Sequence, residues 1–237
     1  MIPSYYYTDQ FIAYVRGHAA KHGVPSIEKT LLNKPICELT EEEKEYIFES
    51  GRIAGLKLYR FKNTHDELPR VKRVLGILKG IYFETLLDVG SGRGVFLFPF
   101  LEAFPGARVT SLDILDFRAE FLSEMSFGGI DRLTAICGDI CSYPLADKSA
   151  DVVTLLEVLE HIPDVENAVR AAVRIAKKFV IVSVPSREDD NPEHIHLLTK
   201  ARLTDMFTKA GAVGLSFDSV GGHLIMIARV EDKLYDF

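Results

Sequence analysis

Residues 86–94, Leu86-Leu87-Asp88-Val89-Gly90-Ser91-Gly92-Arg93-Gly94, decide how this chain of 237 residues is read. The apolar opening has the character of a buried strand. Three alternate glycines then break it before the apolar helical stretch from Val95 to Phe104. Such a turn brings bare backbone against a ligand, because open α/β sheets bind beyond the carboxyl ends of their strands. The next β-rich run, Arg108 to Asp113, ends in a carboxylate 19 residues after Gly94. That is close to the ~20-residue offset of an acid that holds a ribose. A dinucleotide site needs its third glycine where this chain has Val95, which weighs against a nicotinamide oxidoreductase.

Outward from the loop the pattern alternates. Strands are expected over 85–90, 108–113, 133–138, 151–156 and 179–184, with helices over 94–103, 117–126, 165–177 and 200–210. Alternation of this kind makes a mostly parallel sheet covered by helices on both faces. Ala212 to Val220 and His223 to Val230 are separated only by Gly221-Gly222, the spacing of an antiparallel hairpin. The expected fold is therefore α/β, a seven-stranded mixed sheet with one late antiparallel strand.

Residues 1–80 carry helical periodicity instead and are expected to form a helical N-terminal cap or lid, leaving 81–237 as the ligand-binding domain. Thr40 and Glu43 make a capping box, and Ile47, Ala54, Leu58 and Phe61 recur at helical spacing, which predicts a helix over 41–62. A shorter one follows over 68–79. Residues 52–79 hold eight basic side chains (Arg52, Lys57, Arg60, Lys62, Arg70, Lys72, Arg73, Lys79) against Asp66 and Glu67. This stretch is either a lid that attracts an anionic acceptor or a solvated helix face.

Apolar residues make up 47% of the chain and charged residues 26%, enough to bury a core of domain size. The net charge of −6 gives no overall attraction to nucleic acid or to an anionic membrane. No apolar run approaches the 18 or so residues that cross a bilayer. The opening Met1 to Tyr7 has neither a basic segment nor a long apolar one, so a cytoplasmic address is expected. Cys37, Cys137 and Cys141 are odd in number and form no CxxC pair, and are expected as reduced, buried thiols.

The form Asp88-x-Gly90-x-Gly92-x-Gly94, with Asp113 after it, resembles the first motif of class I S-adenosylmethionine (SAM) dependent methyltransferases. Cys137-Gly138-Asp139-Ile140 resembles that family's adenine-contacting segment. Ala150-Asp151-Val152-Val153 through Glu157-Val-Leu-Glu-His161-Ile-Pro163 resembles its fourth-strand segment, and the final hairpin resembles its reversed last strand. Over about residues 81–230, the resemblance implies a Rossmann-like fold and methyl transfer from SAM to a small-molecule or carrier-linked acceptor. It implies that Gly90, Gly92 and Gly94 make room for the methionine end and ribose, with Ser91 of the same loop a further cofactor-binding residue. Asp113 would accept from the ribose hydroxyls with Ile114 beside it. Asp139 would accept from the adenine amine while the Ile140 N–H donates to the ring. Asp88 would orient the loop or the ligand's ammonium.

The same resemblance makes Glu157, His161 and His194 the catalytic candidates, with Glu157 and His161 shaping the SAM and acceptor pocket. Methyl transfer needs positioning above all, and a base only where the acceptor is protonated at working pH. Glu157, Glu160 and His161 also form ExxEH, which with His194 resembles the four ligands of small-RNA 3′-terminal 2′-O-methyltransferases. There a divalent ion activates a ribose hydroxyl. The aromatic residues that family implies near Thr199 are missing, and no metal is assigned here. A SAM-binding or partner-binding module without turnover is the non-enzymatic reading of the same motifs.

Overall fold

The computed structural model describes residues 2, 6–63, 68–187 and 190–231. Asp66 and Glu67 of the basic stretch lie outside the described residues. The chain begins with helices α1 (Thr8–His22), α2 (Lys29–Asn33), α3 (Glu41–Ile53) and α4 (Pro69–Lys79). Strand β1 (Thr85–Val89), α5 (Leu97–Ala103), β2 (Arg108–Asp113), α6 (Asp116–Phe127), β3 (Leu133–Cys137) and β4 (Ala150–Leu156) follow. The chain then forms α7 (Val165–Ile175), β5 (Ala176–Pro185), α8 (Lys200–Lys209), β6 (Gly214–Val220) and β7 (His223–Arg229). The sheet runs β3-β2-β1-β4-β5-β7-β6, and β7 alone is antiparallel to its neighbours. This is the seven-stranded mixed sheet that the alternating pattern demands.

Successive side chains of a strand point to opposite faces, so a sheet buried on both sides needs apolar residues at nearly every position. In β1, Leu86 joins the cluster beneath α1, α4, α5 and α6, while Leu87 and Val89 join the one beneath α7 and α8. Local chemistry sets the helix starts. The Thr40 hydroxyl accepts from the Glu43 amide at 3.2 Å, and the Glu43 carboxylate accepts from the Thr40 amide at 2.7 Å. Pro69 opens α4, where its missing N–H costs nothing. Asp164 and Thr199 cap α7 and α8.

The structure departs from the periodicity at three boundaries. Helix α3 stops at Ile53, and a 3-10 turn over Leu58–Phe61 replaces the remainder of the helix expected to residue 62. Leu58 and Phe61 are nonetheless buried, so the spacing marked a core face rather than one continuous helix. Helix α5 starts at Leu97, later than expected, because Gly94 holds a φ of 84°. Strand β5 begins at Ala176, directly after α7, which shortens the helix expected to residue 177. Cys37 and Cys137 are exposed and Cys141 is half-buried, so the thiols are free but not buried as expected. Burial and the neighbouring Asp139 carboxylate push the Cys141 thiol up to about 11, which keeps it a poor nucleophile.

The helices before Gly80 share a hydrophobic cluster with the sheet's own helices. The Phe61 ring stacks on Phe98 at 5.2 Å, and Tyr14 meets Phe121 at 4.9 Å. Helices α1 and α6 cross in close contact at Gly17, where an added Cβ would sit 1.8 Å from the Glu124 carbonyl oxygen. Glycine inside a helix costs about 1 kcal/mol, and here the close backbone approach requires it. No helix among the described residues is long and apolar enough to cross a membrane. Gly17→Ala is expected to lose about 1–3 kcal/mol in urea denaturation, the usual cost of overpacking, although alanine favours helix. A gain in stability would show that α1 does not lie this close to α6.

Candidate functional site

The carboxyl end of β1 carries a charge that the sheet itself buries. Asp88 is 2% exposed, with Ser111 of β2 and Thr154 of β4 beside it in register. The Thr154 hydroxyl donates to Asp88 Oδ1 at 2.7 Å and the Ser91 hydroxyl to Oδ2 at 2.6 Å. Ser111 in turn donates to Ser91 at 2.7 Å. Burial pushes the Asp88 carboxyl up to about 6 despite the two hydroxyl donors, and the nearby Asp113 charge adds to the rise. Asp88 and Ser91 therefore hold the loop through side chains, while its glycine backbone faces the cleft.

Two lobes of one groove meet above this loop. The larger, about 490 Å³, is lined by Gly90, Asp113, Ile114, Asp139, Ile140 and Glu157, together with Val158, His161 and Ile162. The smaller, about 190 Å³, is lined by Asp88, Gly90, Ser91, Gly92 and Glu157, with Arg70 and Val74 of α4 closing it. Gly94 lines neither lobe, since the space its Cβ would take is filled by the Phe98 ring at 2.5 Å. Asp113 accepts from the Gly92 amide and the Leu115 amide, each at 3.0 Å, and each oxygen keeps a lone pair for a hydroxyl. Asp139 accepts from the Cys141 amide at 2.9 Å through Oδ1. Two carboxylates between apolar walls of Ile114 and Ile140 suit an adenine nucleoside, whose hydroxyls and amine donate and whose ring is apolar on its faces. By donor chemistry, by open space at Gly92 and by the backbone of Gly90, which lines both lobes although Val158 fills its Cβ space at 2.6 Å, the groove fits the cofactor that the motif implies.

Glu157 follows β4 with a φ of 58°, an unfavourable conformation for a residue with a Cβ that costs about 1–3 kcal/mol. Its amide donates to the Ser183 carbonyl at 2.9 Å, and Oε1 accepts from the Ser183 hydroxyl at 2.7 Å. Oε2 lies 3.0 Å from His223 Nδ1. His161 lines the larger lobe, with Nδ1 2.9 Å from the Glu193 carbonyl, and its ring meets His194 at 4.8 Å. Ligand atoms of Glu160, His161 and His194 lie within 4.8 Å of one another, and Glu157 stands apart from that group. His196, half-buried in the loop after β5, has its Nε2 3.0 Å from the Ile162 carbonyl.

Sequence reasoning assigned no role to His223, Arg93 or Arg118, and named Arg70 only within the basic stretch read as a lid or a solvated helix face. Arg118 lies 3.9 Å from Asp113 Oδ2 and borders both lobes. With Arg60 and Arg93 it also lines a third cavity of about 290 Å³ walled by Tyr59, Phe117 and Phe121. His223 opens β7 opposite Pro185, at the same crest as Glu157, and the Gly221-Gly222 turn was the signal that could have placed it.

Residues 87–182 match the family model described as "Methyltransferase domain". The chain is 34% identical over 122 residues to the ubiquinone biosynthesis O-methyltransferase of Serratia proteamaculans, covering 49% of this chain and 48% of that protein. It is 33% identical over 96 residues to the ubiquinone/menaquinone biosynthesis C-methyltransferase UbiE of Paracoccus denitrificans, covering 40% of this chain and 38% of that one. The chain thus spans about half the length, or less, of these relatives. A SAM-dependent methyltransferase of Thermotoga maritima, described as a possible histamine N-methyltransferase, superposes with a TM-score of 0.55 at 17% identity. That match covers 70% of this chain and 91% of the other, and it supports the fold.

The buried carboxylate makes stability depend on pH with a defined sign. The folded value of about 6 lies above the ordinary 3.8. The stabilising contribution is therefore complete below about pH 4 and is lost as pH rises through 6. From pH 4 to 7, urea denaturation of the wild type is expected to lose on the order of 3 kcal/mol relative to Asp88→Asn. Parallel profiles for the two proteins would contradict the burial of a titrating Asp88.

Proposed function

We propose that this chain, whose residues 87–182 match a family model described as a methyltransferase domain, is a class I SAM-dependent methyltransferase that transfers the SAM methyl group to a small-molecule or carrier-linked acceptor. The observation that carries this reading is the convergence of Asp113, Asp139, Glu157 and the bare Gly90–Gly92 backbone on one groove at the strand crest. SAM, when bound, supplies an electrophilic methyl on a sulfonium. Asp113 accepts from both ribose hydroxyls, held for that task by the Gly92 and Leu115 amides. Asp139 takes the adenine amine, Ile140 donates its N–H to the ring, and Ile114 covers the ring face. Glu157, fixed by Ser183 and His223, sets a negative charge beside the methionine end. Arg70 at the α4 wall offers the cation that the methionine carboxylate requires.

Displacement at a methyl carbon gains most from positioning, worth up to about 7–11 kcal/mol, so the rigid crest is the main catalytic device. His161 takes the acceptor proton where the acceptor carries one, with its Nδ1 oriented by the Glu193 carbonyl. The acceptor's negative group is placed at Arg60, Arg93 and Arg118, a cavity with no acidic lining residue that adjoins the smaller lobe through Gly92, Arg93 and Arg118. Free cysteines at all three positions support a reducing, cytoplasmic setting. A metal-assisted variant of the reaction is supported by one observation, the approach of Glu160, His161 and His194, though Glu157 is engaged elsewhere.

Titration calorimetry with S-adenosylhomocysteine tests the cofactor site. Asp113→Asn is expected to weaken binding about 10- to 100-fold, the worth of a hydrogen bond to a charged group. Unchanged affinity would remove Asp113 from the site. For the chemistry, turnover that persists in excess chelator fits the positional mechanism, whereas turnover restored only by Mg²⁺ or Mn²⁺ would favour the metal-assisted one. Arg60→Gln is expected to raise KM for an anionic acceptor while leaving S-adenosylhomocysteine affinity within about twofold, because Arg60 lines the third cavity and neither lobe of the groove.

A further inference from the structure

The structure assigns a second site of a different kind: we propose that His18, His22 and Glu124 bind a zinc-type divalent cation at the α1–α6 interface. None of the three lines the groove. His18 and His22 stand one helical turn apart on the same face of α1, the i, i+4 spacing with which a helix presents two imidazoles to one ion. Glu124 faces them from α6. His18 Nδ1 is 3.1 Å and His22 Nε2 2.8 Å from the same oxygen, Glu124 Oε1, and the two rings are 4.4 Å apart.

Two imidazole nitrogens and one carboxylate oxygen form a zinc donor set that leaves a fourth position open for water. Zinc bonds of about 2.0–2.1 Å in tetrahedral array separate neighbouring donor atoms by roughly 3.3 Å. The observed approaches need to open by only a few tenths of an ångström to admit the ion. The Glu124 side chain is 6% exposed, and a carboxylate so far out of water needs compensation. Two neutral imidazoles give it one N–H each, whereas a divalent cation neutralises it outright. The His22 side chain is 43% exposed, which gives the ion a way in.

The frame is rigid because the helices cannot separate without losing close backbone contact. At Gly128, just past α6, an added Cβ would lie 1.7 Å from the Ala13 carbonyl oxygen, which complements the crossing at Gly17. The donors are thus preorganised by packing that owes nothing to the ion. A bound ion would tie α1 to the helix that follows Asp113.

The test uses the full chain, stripped with chelator, in a His194→Ala background that silences the Glu160, His161 and His194 group. Titration with ZnCl₂ is expected to show one ion per chain, and CoCl₂ to give the intense visible bands of tetrahedral coordination. His22→Gln keeps a hydrogen-bond donor for Glu124 but removes a ligand, so a simple hydrogen-bonded clamp would survive it. Zinc affinity in that variant is expected to fall by more than about 100-fold, since even outer-shell changes cost about 10- to 100-fold. Zinc should raise Tm in the His194→Ala protein and leave the His22→Gln protein, folded with the same metal-free Tm, unmoved. Binding indifferent to His22→Gln, or absence of tetrahedral cobalt bands at stoichiometric metal, would overturn the assignment. Neither result depends on the methyltransferase reading.

Discussion

A carboxylate buried at the end of the first strand is the constraint on which the rest depends. Asp88 sits where three strands run side by side, and it is tolerable there only because Thr154 and Ser91 supply hydroxyl donors. Meeting that requirement fixes several things together. It pins the registers of β2, β1 and β4, and it draws Ser91 inward. The backbone of Gly90 and Gly92 is thereby left uppermost. The loop is shaped from below, by its own sheet, before any ligand arrives. The proposed methyl transfer needs this kind of preorganisation, since a displacement at carbon asks little of the protein beyond geometry.

The crest arranges charge in a sequence that matches a zwitterionic nucleoside. Carboxylates at Asp113 and Asp139 stand toward β2 and β3, Glu157 stands over β4, and arginines from α4, α6 and the glycine loop line the groove and the third cavity, with Arg118 beside Asp113 itself. Of the N-terminal helices, α4 lines the candidate groove as well as the core. The face of α4 that buries Val71 and Val74 also delivers Arg70 to the groove, and Arg73 of that helix pairs with Asp218 of β6. The 3-10 turn that buries Phe61 carries Tyr59 and Arg60 to the third cavity. Only part of the basic stretch is engaged this way, since Arg52 pairs with Glu49 within α3.

What the sequence made legible was local. The alternation of β-rich and helical runs fixes the sheet, and the spacing from Gly94 to Asp113 places loop and carboxylate on one crest, because each signal lies within a few tens of residues. The break in α3 was missed because Leu58 and Phe61 keep helical spacing while Gly55, at a φ of 77°, turns the chain. Gly94 was read as room for a ligand and is room for Phe98 instead, a distinction that only three-dimensional packing makes. Arg118 and His223 stayed hidden, and Arg70 stood only as one of eight basic residues, for a related reason. Their roles arise from how α6, α4 and the last hairpin dock, and no short-range spacing encodes docking. The convergence of His18 and His22 on Glu124 joins residues about a hundred positions apart and could not be read from either helix alone.

A crystal structure with S-adenosylhomocysteine tests the central claim most directly. Ribose hydroxyls are expected on the Asp113 carboxylate, adenine between Ile114 and Ile140 with its amine at Asp139, and the sulfur over Gly90 on the side facing Glu157. The Asp88, Ser91 and Thr154 hydrogen bonds should be unchanged from the ligand-free protein. A nucleoside lying outside this groove, or one admitted only after that buried network breaks, would contradict it.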